Sequence, residues 1–479
     1  MPRLRPLLAG IALALLACLG TGAAATARPP AAAQPAGKQL AMAAGAFTDS
    51  VGVNVAPGDA AAGWAIAQRL EAAGIRHVRG PAATGPDDPA LEGLRALAGA
   101  DLRLDLVLGA DADPEATTEA AASLGPAVAA LEAPAGKRAT PLRRAMTTHP
   151  AMAGVAVLGS GPGVDYQAVR LELDGRCPGC AADQLGSGDG SVQVTEVDLG
   201  ADLPATVAAR YLPRLLLANA GLAVRTYVEG GGAEGAGSGL LDPAGAPTPA
   251  YHAVASLLAL LDDGPKQPPP GHLGFRLTGN VDGVQHRLLQ KADGHFWLAL
   301  WVERAGWDPA SGRELTVPGQ QVTVALDRPV AGAREFVPEL GTDPERRFID
   351  PPGARRQLDT IELEVNDRVL LLELVPLRAD GSASRATTPP AAPAPAAPST
   401  QSPVVRNAGQ PTTPTTSPAA DDTRAAAAGQ PAAAADPASR SPLAFTGSTA
   451  LSMLVASLLL MLVGVAALFA SRRRYHHRH

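Results

Sequence analysis

Lysine, net charge and cysteine are all scarce in this chain of 479 residues. Four lysines stand beside 36 arginines, a bias that indicates a GC-rich coding sequence and says little about chemistry. The net charge of −6 is mild, so the composition gives no sign of a nucleic-acid partner. The length itself leaves room for two or three domains.

Cysteine occurs only at Cys18, Cys177 and Cys180. The C-x-x-C pair Cys177 and Cys180 is typical of a local disulfide if the chain is secreted, and thiol exchange is a second interpretation. Zinc would need two further ligands, and no histidine lies nearby, so no metal site is predicted. The glycines Gly230–Gly232 do not follow dinucleotide or phosphate-loop spacing, and no cofactor is predicted.

The first 27 residues have the pattern of a secretory signal peptide. Two arginines, Arg3 and Arg5, precede an apolar run over residues 7–19, and Ala25–Ala27 supplies an A-x-A cleavage site. A lipid on Cys18 is an alternative reading of the same run. Residues 28–46 are rich in alanine, proline and glycine, which predicts disorder.

The C-terminus predicts a membrane anchor. Thr449–Ala470 is uncharged and apolar for 22 residues, long enough to span a bilayer. Arg472–Arg474 follow directly and should remain cytoplasmic. Just before the span stands the pentapeptide Leu443–Gly447, with sequence LAFTG.

This arrangement of pentapeptide, span and basic tail resembles a sortase sorting signal of Gram-positive bacteria. Ala444 occupies the place of the usual proline, as in the variant read by actinobacterial housekeeping sortases. The resemblance implies cleavage between Thr446 and Gly447 and transfer of Thr446 to peptidoglycan. A plain single-span membrane anchor is the alternative. Either reading places the ectodomain outside the cell.

Between these ends, strand and helix patterns alternate from residue 47 to residue 263, which predicts a parallel sheet. The predicted strands are Val51–Val55, His77–Arg79, Leu102–Leu108, Ala127–Glu132, Gly154–Leu158, Val169–Leu173, Ser191–Glu196 and Leu222–Val228. Eight is the number that a closed (β/α)8 TIM barrel needs. The gaps around the sixth strand are too short for full helices, so the barrel should be shortened.

Two different patterns follow the predicted barrel. Residues 272–377 alternate with period two and contain no long helical pattern, which predicts an antiparallel β-sandwich. Residues 378–440 are mostly Ala, Pro, Thr and Ser and cannot bury a core. If this linker is extended, it could reach on the order of 200 Å, enough for a stalk that crosses a cell wall.

One strand of the barrel carries the leading candidate for chemistry. In Ser191–Gly200 the apolar residues Val192, Val194 and Val197 predict a buried strand, and the carboxylate of Glu196 stands near its end. Catalytic groups in such barrels sit at the carboxyl ends of strands. Glu196 is therefore a candidate nucleophile.

Several stretches together resemble the retaining TIM-barrel glycosidases of glycoside hydrolase clan A, which carry a C-terminal β-domain. The stretches are Gly74–Arg79, Val194–Glu196, Ala209–Leu215, Gly221–Tyr227, Gly239–Pro247, Pro249–His252 and Leu257–Asp262. The resemblance covers about 330 residues, the barrel plus the sandwich, and depends on their order and spacing. It implies that Glu196 is the nucleophile and that Arg79 hydrogen-bonds to it.

The same resemblance places the acid/base glutamate at the end of strand four, after an asparagine. Here the run is Glu132-Ala133-Pro134-Ala135-Gly136, so Ala135 replaces the asparagine and Gly136 replaces the acid. Retaining hydrolysis needs two carboxyl groups. Glu132 is the candidate for a relocated acid, with a capping carboxylate as the alternative.

The sequence therefore predicts a secreted, wall-anchored protein with an inactive glycosidase-like barrel that binds carbohydrate or serves a structural role. Arg79, Tyr227 and Glu229 are the candidate binding residues around Glu196, and an ion pair between Glu196 and Arg79 is the structural alternative. The predicted partners are carbohydrate or wall polymer, sortase, peptidoglycan and the membrane. The alternative function is an active retaining glycosidase with a rearranged acid.

Overall fold

A computed structural model describes most of the chain between residues 37 and 377. The described ranges are 37–134, 139–173, 177–185, 191–200, 203–231, 239–264, 269–341, 343–350 and 357–377. The predicted signal peptide, linker, sorting signal and span lie outside these residues, as do Ala135 and Gly136. Within the described ranges, no helix is both long and apolar enough to cross a bilayer.

Eight parallel strands form a closed barrel, which confirms the predicted fold of this region. Two short strands, β1 (Gly37–Leu40) and β2 (Met42–Ala43), come before it. The barrel strands are β3 (Val51–Asn54), β4 (His77–Pro81), β5 (Arg103–Val107), β6 (Val128–Glu132), β7 (Ala156–Gly159), β8 (Tyr166–Glu172), β9 (Val192–Asp198) and β10 (Thr226–Glu229). The barrel closes where Thr226 of β10 pairs with Val51 of β3.

The surrounding helices are incomplete, as the short gaps in the sequence predicted. They are α1 (Ala44–Asp49), α2 (Ala60–Ala72), α3 (Ala90–Gly99), α4 (Pro114–Ala122), α5 (Thr140–Thr147), α6 (Pro178–Ala182), α7 (Ala205–Asn219) and α8 (Pro249–Leu261). The described connection between β7 and β8 contains no helix, and α6 has only five residues. Local capping fixes several starts: the Asp59 carboxylate accepts from Ala62 N–H, and Thr248 accepts from Tyr251 N–H.

The second half of the described chain is a β-sandwich, also as predicted. The strands of this half are β11 (His272–Gly279), β12 (Val284–Gln290), β13 (Phe296–Val302), β14 (Trp307–Asp308), β15 (Arg313–Glu314), β16 (Gln320–Val330), β17 (Gly332–Phe336), β18 (Glu345–Ile349), β19 (Leu358–Val365) and β20 (Leu370–Val375). Strands β14 and β15 form a separate two-stranded sheet. One sheet has the order β1-β11-β16-β19, and the other has the order β18-β17-β20-β13-β12-β2.

The prediction of disorder over residues 28–46 is wrong for residues 37–46. Strand β1 pairs antiparallel with β11, with Gly37 opposite Phe275, and β2 pairs parallel with β12, with Met42 opposite Leu289. These contacts satisfy backbone groups at an edge of each sheet. The chain therefore completes both sheets of the sandwich before it enters the barrel.

The alternation along β13 divides its side chains between two hydrophobic cores. Leu298 and Leu300 face the interior of the sandwich, whereas Trp297 and Trp301 pack into the core that the barrel helices share with the six-stranded sheet. Trp297 and Trp301 are each 2% exposed, and Trp307 is 8% exposed. All three tryptophans are therefore core residues.

Candidate functional site

A β-bulge sets the orientation of Glu196. Val169 of β8 lies opposite Val194, but the next residue, Arg170, lies opposite Glu196, so Thr195 is an extra residue in β9. A bulge changes the side to which the following residues point. The buried apolar row accordingly continues at Val197, and Glu196 stands beside Arg170 on the half-exposed face.

Glu196 belongs to a four-residue ionic group that we call the mouth cluster: Arg170, Glu172, Glu196 and Asp198. Arg170 Nη1 lies 3.1 Å from Glu196 Oε1, and Arg170 Nη2 donates to Asp198 Oδ2 over 2.9 Å. Glu172 Oε1 is 3.7 Å from Arg170 Nε. The hydrogen bond to Asp198 and the neighbouring carboxylates raise the pKa of Arg170. Arg170 thus forms ion pairs with three carboxylates at the ends of β8 and β9.

Arg79 contacts Glu132 and not Glu196. Both the expected hydrogen bond from Arg79 to a Glu196 nucleophile and the alternative ion pair between these two residues are therefore wrong. Its Nε donates to Glu132 Oε2 over 2.7 Å and its Nη2 donates to Glu132 Oε1 over 3.0 Å. Arg79 Nη1 donates to Asn54 Oδ1 over 3.1 Å, and Asn54 Nδ2 donates to the Thr195 carbonyl over 3.0 Å. A polar chain therefore joins barrel strands β6, β4, β3 and β9.

This chain of hydrogen bonds occupies Glu132 on both oxygens. The side chains of Arg79 and Glu132 are 16% and 11% exposed, so the pair is largely shielded from water. A fork-to-fork pair of this kind is strong and fixes the orientation of the carboxylate. Both Glu132 oxygens are therefore held toward Arg79.

Glu229 lies at the end of β10, close enough to Glu196 and Arg79 for both charges to affect its pKa. Burial and the nearby Glu196 charge raise the pKa of Glu229, while the Gly231 N–H and Arg79 oppose that change. The Gly231 N–H lies 3.3 Å from Glu229 Oε1. A Cβ at Gly230 would overlap the Asn54 carbonyl, so glycine lets the chain pass closely under β3.

Tyr227 is a barrel-core residue, so its predicted role in binding is not supported. Its side chain is fully buried, and its hydroxyl donates to Asp105 Oδ2 over 2.6 Å. Gln193 Nε2 donates to the same oxygen over 2.7 Å. Burial raises the pKa of Tyr227 well above its usual value. These three side chains fill the barrel interior and have no surface for a ligand.

Sequence reasoning missed Arg170, Asn54 and Asp198, which complete the ionic contacts around Glu196 and Arg79. One signal was available: the apolar positions of β9 run 192, 194 and 197, so the period of two breaks at Glu196. That break indicates a bulge. Asn54 had no comparable signal, because it lies 141 residues before its partner Thr195.

The predicted disulfide and the predicted sortase site lie outside this region. Cys177 and Cys180 are joined by a disulfide, with their Cα atoms 5.4 Å apart. Among the described residues, no group of three or more His, Cys, Asp or Glu side chains could hold a metal ion. Thr446 and Gly447 fall in the part of the chain that the structure does not describe.

Comparison with known proteins gave similar folds and no similar sequence. No protein-family model and no curated protein matches the chain. A family 39 glycoside hydrolase from the gut symbiont Bacteroides cellulosilyticus WH2 is 13% identical, with a TM-score of 0.45, over 69% of this chain and 82% of that one. A GH30 endoxylanase from Clostridium papyrosolvens C71 is 8% identical, with a TM-score of 0.42, over 71% and 98%.

A family 5 glycoside hydrolase from Bacteroides vulgatus ATCC 8482 is similar at 10% identity and a TM-score of 0.41, over 71% of this chain and 92% of that one. Likeness at these scores carries no argument about activity. The barrel of this chain is established by its own strand pairing.

Proposed function

We propose that this is a cell-surface protein whose glycosidase-like barrel binds carbohydrate without hydrolysing it. The observation that carries the proposal is the bidentate pair between Arg79 and Glu132. The pair removes the carboxylate at the end of β6 from acid catalysis. The sequence offers Ala135 and Gly136 where the resemblance to clan A calls for an asparagine and the acid/base glutamate.

The loss of a general acid is large in energetic terms. A retaining glycosidase uses two carboxyl groups about 5–5.5 Å apart, one to attack and one to protonate the leaving oxygen. General acid catalysis contributes roughly 10²–10⁴-fold to the rate. Natural glycans have poor leaving groups, so they should remain intact in this barrel.

Carbohydrate binding would then rest on the half-exposed polar groups at the ends of β8, β9 and β10. Arg170, Glu196 and Glu229 can donate to or accept from sugar hydroxyls. Their side chains are already oriented, because Arg170 is held by three carboxylates and Glu229 by the Gly231 N–H. Groups oriented in this way lose less entropy on binding.

The test is to incubate the full chain with a panel of cell-wall and plant polysaccharides, and to measure both bound protein and released sugar. We expect binding without release. Arg170→Met and Glu229→Gln should weaken binding at least several-fold. Arg95→Met is the matched control, because Arg95 is exposed to the same degree as Arg170 but lies with Glu92 on α3.

Two results would contradict this proposal. Sugar release by the wild type that Glu196→Gln abolishes would make the protein a glycosidase. Equal binding by Arg170→Met, Glu229→Gln and the control would move the binding surface away from the barrel mouth.

An active retaining glycosidase is the second candidate, and the environment of Glu229 is the observation that favours it. Glu229 has a raised pKa, which favours the protonated form that a general acid needs, and it lies near Glu196. In this mechanism Glu229 would protonate the leaving oxygen. Glu229→Gln should then spare aryl glycosides with good leaving groups and abolish turnover of natural glycans.

The surface location is a proposal that rests on the sequence of residues 443–479. We infer that sortase cleaves between Thr446 and Gly447 and links Thr446 to peptidoglycan, after the C-terminal span has held the chain in the membrane. In a host with sortase, wild-type protein should be released only by wall hydrolases. Thr446→Ala should remain in detergent-soluble membranes, and wild type found only there would favour the plain anchor.

A further inference from the structure

The disulfide lies on the surface of the segment that links β8 to β9. Cys180 is exposed and Cys177 is half-buried, whereas Pro178 and Ala181 between and beside them are buried against the barrel helices. Helix α6 has five residues, too few to be stable without packing or a covalent constraint. The disulfide and the buried side chains together hold this turn in place.

The backbone of this turn lies close to the sandwich, where Gly179 contacts Glu303. A Cβ at Gly179 would overlap the carboxylate of Glu303, so any larger residue there would have to displace that side chain. Glu303 lies just beyond β13, and its Oε2 accepts a hydrogen bond of 2.7 Å from Trp301 Nε1. Its Oε1 accepts one of 2.5 Å from Arg214 Nη2. Gly179 therefore covers one side of a buried ion pair.

That ion pair belongs to a larger polar contact between α7 and the sandwich, which we call the joint: Arg210 and Arg214 of α7 with Glu303, Glu314 and Asp367. Arg214 is fully buried, and it also donates to the Arg304 carbonyl over 2.9 Å. Arg210 donates to Asp367 Oδ2 over 2.9 Å and to Glu314 Oε1 over 2.6 Å. Buried charges depend on such partners and on the exclusion of water.

We propose that Cys177–Cys180 is a thiol–disulfide exchange site whose reduction loosens the joint. A dithiol reductant attacks, as a thiolate, the sulfur of Cys180, which is the more exposed of the two residues. The S–S bond breaks, and Cys177 leaves as a thiolate that takes up a proton. The second thiol of the reductant then displaces Cys180, so the reductant ends as a disulfide and the protein as two thiols.

The consequence follows from the position of Gly179. Once the covalent constraint is gone, α6 can fray and Gly179 can move away from Glu303. Water then reaches the Arg214–Glu303 pair and weakens it, because ion pairs in water are worth far less than shielded ones. The effect should be local to the joint, since the second core lies between the two sheets of the sandwich.

The experiment is amide hydrogen exchange on the full chain with and without dithiothreitol, with alkylation to count thiols. In the native reduced protein we expect two more labelled thiols than in the oxidised protein, because Cys177 and Cys180 are then free to react. Peptides that contain residues 301–306 and 207–217 should exchange at least several-fold faster, while peptides from 322–326 and 361–365 stay unchanged. The Tm should fall by about 3 °C, as expected for a modest local loss.

Two variants keep the result interpretable. Cys177→Ser/Cys180→Ser should show the fast exchange at the joint with no further response to reductant. Gly179→Ala should show it with the disulfide intact, because its Cβ displaces Glu303. Gly99→Ala, at the end of α3, adds a Cβ that meets no atom within 4 Å and should change nothing at the joint.

Three results would overturn the proposal. The first is a disulfide that dithiothreitol cannot reduce without unfolding the protein. The second is a reduced protein whose exchange at residues 301–306 equals that of the oxidised protein. The third is faster exchange throughout the sandwich, because that would mean general unfolding instead of a local release.

Discussion

The mouth cluster and the joint use the same residue types for different ends. In the mouth cluster, Arg170 is 48% exposed and meets carboxylates that are also about half-exposed. In the joint, Arg214 is 0% and Arg210 is 6% exposed. Burial, and not the count of ion pairs, therefore decides which group stabilises the fold and which is available to a ligand.

The expected energies differ accordingly. Exposed ion pairs contribute about 0–1 kcal/mol because water and salt screen them. Removal of one partner from a buried pair costs about 3–5 kcal/mol, since the other charge is left without compensation. The joint should therefore behave as structure, and the mouth cluster should tolerate change.

The largest expected effect comes from substitution of the two arginines in parallel. Arg214→Met leaves Glu303 with Trp301 as its remaining donor and should lower the free energy of unfolding by about 3–5 kcal/mol. Arg170→Met should lower it by less than about 1 kcal/mol. Chemical denaturation of both variants measures the difference.

Glu303→Gln is the control for this comparison. Combined with Arg214→Met it should recover part of the loss, because the uncompensated charge is then absent. Equal costs for Arg214→Met and Arg170→Met would mean that the joint is open to water in solution, and the distinction between the two regions would fail.

Glu339, at the edge of the joint, should make the stability of the protein depend on pH. Burial raises the pKa of Glu339 from 4.5 to about 7, while Arg368 opposes the change. Because the folded protein holds this proton more tightly than the unfolded chain, the contribution of Glu339 to stability is full below pH 4.5 and is lost as pH rises toward 7. The two values differ by about 2.5, which sets the loss at about 3 kcal/mol at most.

Glu339→Gln should remove this decline, because an amide does not titrate. The measurement is urea denaturation of wild type and variant at intervals between pH 4 and pH 8. A variant with the same pH dependence as wild type would assign the decline to other groups. Glu364→Gln, on the exposed side of β19, serves as the matched control.

The sequence predicted the barrel well because its strands are short apolar runs separated by helical patterns. All eight predicted strands overlap observed ones, and the sandwich was recognisable from its period of two. Residues 37–43 were missed for a physical reason. They join the sheets through backbone hydrogen bonds, which an alanine- and glycine-rich composition does not reveal.

The ionic partners could be predicted less well than the strands. Glu196 was placed on the correct strand, but its partner Arg170 stands opposite it only because Thr195 is bulged. Arg79 was expected to bind Glu196 and instead reaches Glu132, two strands away across the barrel. Such pairings depend on strand stagger and side-chain reach, and neither is encoded in local patterns.

A smaller effect is expected at the barrel mouth, where the charge of Glu196 should influence the pKa of Glu229. The Glu196 charge is one of two influences that raise the pKa of Glu229, and burial is the larger. Glu196→Gln should therefore lower the pKa of Glu229. Carbon NMR of labelled glutamate side chains, assigned with Glu229→Gln, follows this titration directly. Glu92→Gln on α3 should leave it unchanged. An unchanged titration in Glu196→Gln would separate the two carboxylates, and would remove the reason to regard them as an acid and nucleophile pair.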